Sequence, residues 1–343
     1  MKHKYLFILC STVLSLVLYN CSDKDAVPPE VDYDELFESV TLPTVVPGLP
    51  TPVQATPGEL RTSAKAKDLF AALGNSSGRY QKSAAIAPEV EEAATAVLAT
   101  LSAEEIETLQ AMTSAEAEAM ATAEALPAPY KAILDKMRAD ATLAEYFTTY
   151  TLPTVGAPET YTPANTTPVD RTLGFEGENS ACMQQAQTSL DEGLKRVDAK
   201  KEENTVLVEE AYATAIAAVA TEEQACQTSA STAFDADKAD YQAQYNENLQ
   251  TVNGQQEELG ANYAPIKALL NALLLDYLRT VHILKTAEQE ACAKKAEVAE
   301  ANAEVAKSKN LDQVEATYQT GVLDVKKVVR EQYNTCHNQG GGQ

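Results

Sequence analysis

Between Glu176 and Cys336 the chain contains a single proline, Pro265, and its apolar residues recur at steps of three and four. Such steps place side chains on one face of a helix. The clearest run has the steps 3-4-4-3-4-4-3, and it consists of Leu311, Val314, Tyr318, Val322, Val325, Val329, Tyr333 and Cys336. This eleven-residue repeat is typical of a nearly straight or slightly right-handed coiled coil. Residues 176–337 are therefore predicted to form a long helical module, followed by a flexible tail over 338–343.

The strongest interruption of the helical pattern lies between Gly254 and Pro265. Gly260 suits the C-terminus of a helix, whereas Asn262 and Pro265 suit the start of the next one. The chain is expected to fold back here, so that the module becomes an antiparallel hairpin of two long helices.

The N-terminus has the pattern of an export signal. Lys2 and Lys4 precede an apolar run from Tyr5 to Leu18, which is short for a membrane span, and Leu18 stands three residues before Cys21. The segment resembles the lipobox of bacterial lipoproteins. The resemblance implies a signal peptide over 1–20 and an acylated Cys21, for example with palmitate, that holds the protein on a membrane.

The four residues after Cys21 are polar and acidic, and they look like signals that send lipoproteins to the cell surface in some Gram-negative lineages. The expected location is the cell envelope, as an outer-membrane lipoprotein, with the direction in which it faces left open. Two alternatives remain: an ordinary secretory signal in which Cys21 is a stray thiol, or a retained membrane anchor.

Export places the remaining cysteines in an oxidising compartment, where an even number suggests disulfides. Cys182 and Cys226 are 44 residues apart, as are Cys292 and Cys336, and both pairs are symmetric about position 259. A fold-back there would place Cys182 opposite Cys336 and Cys226 opposite Cys292. This nested pairing is the leading prediction.

Other pairings stay open at this stage. A sequential scheme joins the first two cysteines and the last two, and it needs turns near positions 204 and 314, for which Asn204 and Asn310 could serve. A crossed scheme is the third possibility, and four reduced, buried thiols are the fourth.

The rest of the chain divides by composition. Residues 21–57 and 151–175 are proline-rich and are predicted to be a tether and a spacer, and residues 58–150 a small Ala-rich helical bundle. Helices are predicted over Glu59 to Leu73, Pro88 to Leu101 and Tyr130 to Tyr150, and capping-box patterns begin two more at Ser102 and Thr113.

A short repeat links the two proline-rich segments. Thr41-Leu42-Pro43-Thr44-Val45 recurs 110 residues later as Thr151-Leu152-Pro153-Thr154-Val155. The repeat is interpreted either as biased composition in two linkers or as two segments that dock equivalently on a helical surface.

Charge and composition exclude several classes of function. The formal charge is −23, and without residues 1–20, which contribute only Lys2 and Lys4, 50 acidic residues face 25 basic ones. A polyanion of this kind repels phosphates, so nucleic acid is not expected as a partner. Aromatic residues make up 6% and tryptophan is absent, which disfavours carbohydrate platforms and compact enzyme pockets.

No motif predicts catalysis, a cofactor or a metal. His282 and His337 are 55 residues apart and lack metal-ligand spacing. Asp235, Asp237 and Asp240 lie close together, but they lack the glycine turn and late glutamate of a calcium loop, so a solvated acidic face is expected.

The most apolar stretch, from Tyr263 to Leu284, has three interpretations: a buried helical face, membrane insertion as in helical pore-forming toxins, or a partner-binding face. Four polar residues interrupt it, namely Lys267, Asp276, Arg279 and His282. The interruptions and the helical spacing favour a buried face.

The sequence thus predicts an all-α protein: a small Ala-rich bundle and a long antiparallel helical hairpin or coiled coil, joined by proline-rich spacers. The expected function is that of an envelope-anchored structural or protein-interaction lipoprotein that presents a helical rod and has no catalytic activity. Its partner is expected to be another envelope or cell-surface protein, and homo-oligomers remain open. The alternatives are a helical pore-forming or membrane-perturbing effector and an accessory subunit of an envelope transport or secretion assembly.

Overall fold

The fold is seen in a computed structural model, which describes residues 40–75, 86–174 and 181–339, without the side chains of residues 74, 75, 182 and 336–339. Helices dominate these residues, so the predicted all-α class is confirmed. Two helices are exceptionally long: α6 spans Ala181–Gly254 and α8 spans Tyr263–Gln339.

The predicted fold-back is also confirmed. Between the long helices lie a single-turn helix, α7 (Gln256–Leu259), and a 3-10 turn (Gly260–Asn262). Gly260 has a φ of +52°, a left-handed conformation that glycine adopts without the steric penalty of a Cβ. The chain therefore reverses at the glycine that the sequence indicated.

Five shorter helices form the bundle: α1 (Ala64–Asn75), α2 (Pro88–Thr100), α3 (Ala103–Ala111), α4 (Ser114–Thr122) and α5 (Ala128–Ala139). The predicted capping boxes are both present. Ser102 and Glu105 exchange hydrogen bonds at the start of α3, and Thr113 and Glu116 do so at the start of α4. Each box satisfies amide groups that a helix start leaves without an intrahelical partner.

Two of the predicted helices are wrong at one end. Residues Glu59–Arg61 form strand β2, which pairs antiparallel with β3 (Thr149–Thr151), and β1 (Ala55–Thr56) pairs with β4 (Thr154–Val155). Helix α5 stops before Asp140, whose carboxylate accepts hydrogen bonds from the amides of Thr142 and Leu143. At Glu59–Arg61, strand pairing with residues about 90 positions away overrides the helical spacing of the local sequence.

The two copies of the pentapeptide lie in different environments. Residues of the second copy belong to β3 and β4, whereas the first copy lies outside any strand, and Leu152 is 55% exposed while its counterpart Leu42 is half-buried. Equivalent docking of the two copies, one of the two interpretations of the repeat, is therefore wrong.

The chain divides into two compact units. Unit 1 combines the described parts of Met1–Val46, Ala164–Leu207 and Leu311–Gln343, and unit 2 combines Pro47–Pro163 and Val208–Asn310. The boundaries predicted from the sequence follow the order along the chain, whereas each unit brings together segments that are distant in sequence.

Each unit has its own apolar core. In unit 2 the bundle helices pack on the apolar stretch of α8, where Leu269, Leu270, Leu274 and Leu275 are fully buried. In unit 1 a smaller cluster joins α6 to α8 and includes Leu190, Val322, Val325 and Val329, the last three from the predicted seam. Burial of apolar surface is the main favourable contribution to both.

Candidate functional site

The long helices are joined covalently within unit 2. Cys226 of α6 and Cys292 of α8 form a disulfide, with their Cα atoms 5.8 Å apart. This bond is one of the two in the predicted nested scheme, and it excludes the sequential and crossed schemes because both need Cys226 elsewhere. The side chains of Cys182 and Cys336 lie outside the described residues, so their pairing stays a prediction, and so does acylation of Cys21.

Three polar residues within the apolar stretch of α8, namely Asn271, Asp276 and Arg279, bind the bundle and the loop that follows it. Asn271 is fully buried; its amide nitrogen donates to the carbonyl oxygens of Leu109 (2.7 Å) and Met112 (3.0 Å), and its oxygen accepts from the hydroxyl of Tyr245 (2.6 Å). These carbonyls lie at the end of α3. One side chain thereby satisfies groups that would be costly to bury without a partner.

Arg279 has the same role for the next helix. Its guanidinium donates to the carbonyl oxygens of Ala121 (3.1 Å), Ala123 and Glu124 (3.0 Å), at the end of α4. A cation is also favoured there by the negative end of the helix dipole.

Asp276 is the third of these residues and is 1% exposed. It accepts hydrogen bonds from the guanidinium of Arg138 and from the amide of Thr148 (3.3 Å). Burial raises the pKa of this carboxyl group above its usual range, and the half-exposed Arg138 and the Thr148 amide offset the rise only in part. The rings of Tyr241 and Tyr277 stack beside it with centroids 3.7 Å apart.

Buried asparagines of the long helices bind the extended proline-rich chain in both units. In unit 1, Asn204 of α6 accepts from the amide of Val45 (3.0 Å) and donates to the carbonyl of Pro43 (3.2 Å). In unit 2, Asn310 of α8 accepts from the amide of Gly48 (2.8 Å) and donates to the carbonyl of the same residue (3.0 Å).

A further asparagine joins two extended segments. The side chain of Asn302 donates to the carbonyl of Thr51 (2.8 Å) and accepts from the amide of Glu159 (2.7 Å). Asn204, Asn302 and Asn310 are 1%, 3% and 7% exposed. An amide side chain offers both a donor and an acceptor, so each of the three satisfies the main chain of a segment that has no strand partner of its own.

The sequence suggested Asn204 and Asn310 as sites of turns in the sequential disulfide scheme, and this interpretation is wrong. Both helices run through these positions without a break. Within a helix, asparagine has lower propensity than the residues around it, and that signal points to a tertiary role as well as to a turn.

Gly321, inside α8, marks another close contact with the extended chain. A Cβ atom at this position would lie 2.5 Å from Cδ2 and 3.0 Å from Cγ of Leu42, so any larger residue would require the Leu42 side chain to shift. Glycine in a helix interior costs roughly 1 kcal/mol relative to alanine. Room for Leu42 is the structural reason for this cost.

The clustered aspartates of α6, Asp235, Asp237 and Asp240, are all exposed, as expected of a solvated acidic face. Asp235 forms an ion pair with Lys285 (2.8 Å), and the main-chain carbonyl of Asp237 accepts from the hydroxyl of Tyr277 (3.3 Å). Within the described ranges, no group of histidine, cysteine or acidic side chains has the geometry of a metal site. The pKa of His282 is lowered by burial and by the nearby charges of Arg279 and Lys285.

None of the helices in the described part of the chain combines the length and the hydropathy that a membrane span requires. No protein-family model matches the chain, and no curated protein or solved structure matches it either.

Proposed function

We propose that this protein is an envelope lipoprotein with a structural or protein-interaction role, attached to the membrane by acylated Cys21 and acting without catalysis. The observation that carries the proposal is the leader, in which basic and apolar regions end with Leu18 three residues before Cys21. The Cys226–Cys292 disulfide supports export, because such bonds persist in oxidising compartments.

The use of polar side chains supports an interaction role over catalysis. Among the described residues, the buried asparagines, the buried Asp276 and the partly buried Arg279 all bind main-chain groups of this chain. Charged residues on the exterior form ion pairs between the long helices, such as Lys201–Glu315 (2.6 Å) and Lys307–Glu209 (2.8 Å). This arrangement favours a stable helical scaffold that presents a charged surface to another envelope protein.

Membrane perturbation has less support. The stretch that prompted this alternative, from Tyr263 to Leu284, is packed against the bundle. Within it, Asn271 and Arg279 bind the ends of α3 and α4. We expect no dye release from liposomes at micromolar concentrations of the mature protein. Dye release at that concentration would favour the pore-forming alternative instead.

Metabolic labelling with a fatty-acid analogue tests the anchoring. The wild type should be labelled, and Cys21→Ala should be neither labelled nor cleaved by the lipoprotein pathway. Cys10→Ala is the matched control, since Cys10 lies inside the apolar leader and should leave labelling unchanged. Equal labelling of Cys21→Ala and the wild type would contradict the proposal. Capture of envelope proteins with the anchored wild type, but not with Cys21→Ala, then identifies the partner.

A further inference from the structure

Residues 40–46, the docking segment, lie on the helices of unit 1 and contribute to its core. Val40 and Leu42 pack against the apolar cluster of α6 and α8, and Val45 is only 3% exposed. Leu42 occupies the space that Gly321 leaves open. If the segment left, the apolar cluster beneath it would be exposed to water, so an empty site is unfavourable.

Recognition of the docking segment depends on features that every copy of the chain carries. Asn204 binds main-chain atoms of Pro43 and Val45, and Val40 and Leu42 add apolar contacts. Pro43 fixes its own φ and favours an extended residue before it, so the segment loses little conformational freedom on docking.

The segment can leave without unfolding unit 2. Val46, which ends unit 1, is 81% exposed, and Pro47 begins unit 2. From Gly48 onward the chain is bound separately by Asn310 and Asn302. A change of backbone direction near Val46 is therefore sufficient to carry residues 40–46 away from their own site.

We propose that the docking segment of a second copy of this chain occupies the same site, so that neighbouring copies are joined by exchange of residues 40–46. Reciprocal exchange fills both sites with the contacts that one copy makes alone, and it closes as a symmetric pair. Where copies share a membrane, their effective concentration favours exchange. That last condition rests on the proposed anchoring, whereas the exchange itself does not.

A designed disulfide tests the proposal directly. In the chain from Ser22 to Gln343 carrying Leu42→Cys and Gly321→Cys, the new sulfur at 42 replaces a Cγ atom that lies 3.0 Å from the Cβ position at 321. This separation is compatible with disulfide geometry. Two preparations, which share an N-terminal histidine tag and differ in a second, C-terminal affinity tag, are mixed in solution and on nickel-lipid vesicles, and then oxidised.

We expect dimers that contain both tags, joined through the 42–321 peptide as identified by mass spectrometry, with a fraction that rises with protein density. The matched control replaces Gly321→Cys by Leu323→Cys, since Leu323 is 54% exposed and two residues further along the same helix. The dimer fraction should exceed that of the control at least about tenfold at equal density.

Two results would overturn the exchange. One is a 42–321 bond found only within monomers at every density, and the other is the absence of this bond altogether. Because the tested chain has no leader, the outcome is independent of labelling at Cys21. If 42–321 bonds form between copies but Cys21 is not labelled, only the anchoring is refuted. If Cys21 is labelled but 42–321 bonds form only within monomers, only the exchange is refuted.

Discussion

The two units stabilise the same pair of helices in different ways. In unit 2 the bundle covers an apolar stretch of α8, where the buried Asn271 and Asp276 and the partly buried Arg279 bind the ends and loops of shorter helices. In unit 1 no bundle lies among the described residues, and extended chain completes a small core. Asn204 binds the extended chain at Val45, and the ammonium of Lys326 donates to the carbonyl of Asp170 (2.6 Å). The comparison teaches that polar residues on the buried face of a long helix can bind either the ends of shorter helices or extended chain.

The largest effect is expected from the bond that closes unit 2. The disulfide joins residues 66 apart. A cross-link that closes a loop of that size restricts the unfolded chain and stabilises the folded state by about 4 kcal/mol. The double variant Cys226→Ala/Cys292→Ala should lose about this much free energy of unfolding in urea titrations, with the signal followed in the bundle. An unchanged midpoint would mean that packing on α8, and not the cross-link, determines the stability of unit 2.

A somewhat smaller loss is expected from the core of unit 2. Leu274 is fully buried, and Leu274→Ala should lower the free energy of unfolding by about 3 kcal/mol, because it leaves a cavity. Leu323→Ala is the control with the same chemical change, and since Leu323 is 54% exposed it should change stability by less than about 0.5 kcal/mol. Similar losses for the two variants would refute the assigned core.

In unit 1 the expected effect is local. Asn204→Ala leaves the carbonyl of Pro43 and the amide of Val45 without their partner, at a cost of about 1–3 kcal/mol. Hydrogen exchange at the Val45 amide should accelerate, while the amides of the bundle keep their wild-type rates. Asn253→Ala is the control, because its side chain accepts a hydrogen bond from the exposed hydroxyl of Tyr263. Equal acceleration in both variants would argue against the asparagine contact.

The smallest expected effects concern how the free energy of unfolding changes with pH. Asp276 in unit 2 and Asp170 in unit 1 should act with opposite signs. The raised pKa of Asp276 means that the folded state retains a proton that the unfolded state releases, so this residue costs more stability as pH rises above the ordinary value of 3.8. Asp276→Asn removes that cost, and the stability of the variant relative to wild type should increase with pH.

Asp170 in unit 1 should show the opposite sign. The amide of Thr172, followed by its hydroxyl, lowers the pKa of Asp170, so its contribution is present above the ordinary value of 3.8 and is lost as pH falls through the lowered pKa. Asp170→Asn should therefore be most harmful at neutral pH and least harmful in acid. Chemical denaturation of both variants from acidic to neutral pH checks the two signs, and parallel curves would contradict the assignment.

The sequence predicted what depends on spacing along a helix. The hairpin, its turn at Gly260, the Cys226–Cys292 bond and the buried Val322, Val325 and Val329 all follow from steps of three and four and from symmetry about one position. Capping boxes were found for the same reason, since their partners are three residues apart.

Contacts between distant segments could not be predicted in this way. Strand β2 depends on Thr149–Thr151, and the roles of Asn204, Asn310 and Gly321 depend on extended chain more than 150 residues away. The residue at one position of a helix does not indicate which distant segment will pack across that position. The proline-rich composition predicted an extended conformation for these segments but not the side chains that bind them.

If Cys21 is acylated as proposed, the docked segment also limits how far unit 1 can lie from a membrane. A fully extended chain spans at most about 3.3–3.6 Å per residue, so the residues from Cys21 to Val40 reach no further than about 65 Å. With residues 40–46 released as far as Pro47, the same attachment would reach roughly 90 Å. If Cys21 is acylated, the contacts that hold residues 40–46, from Asn204 and from the apolar cluster, thus limit the distance at which a partner in the envelope can be met.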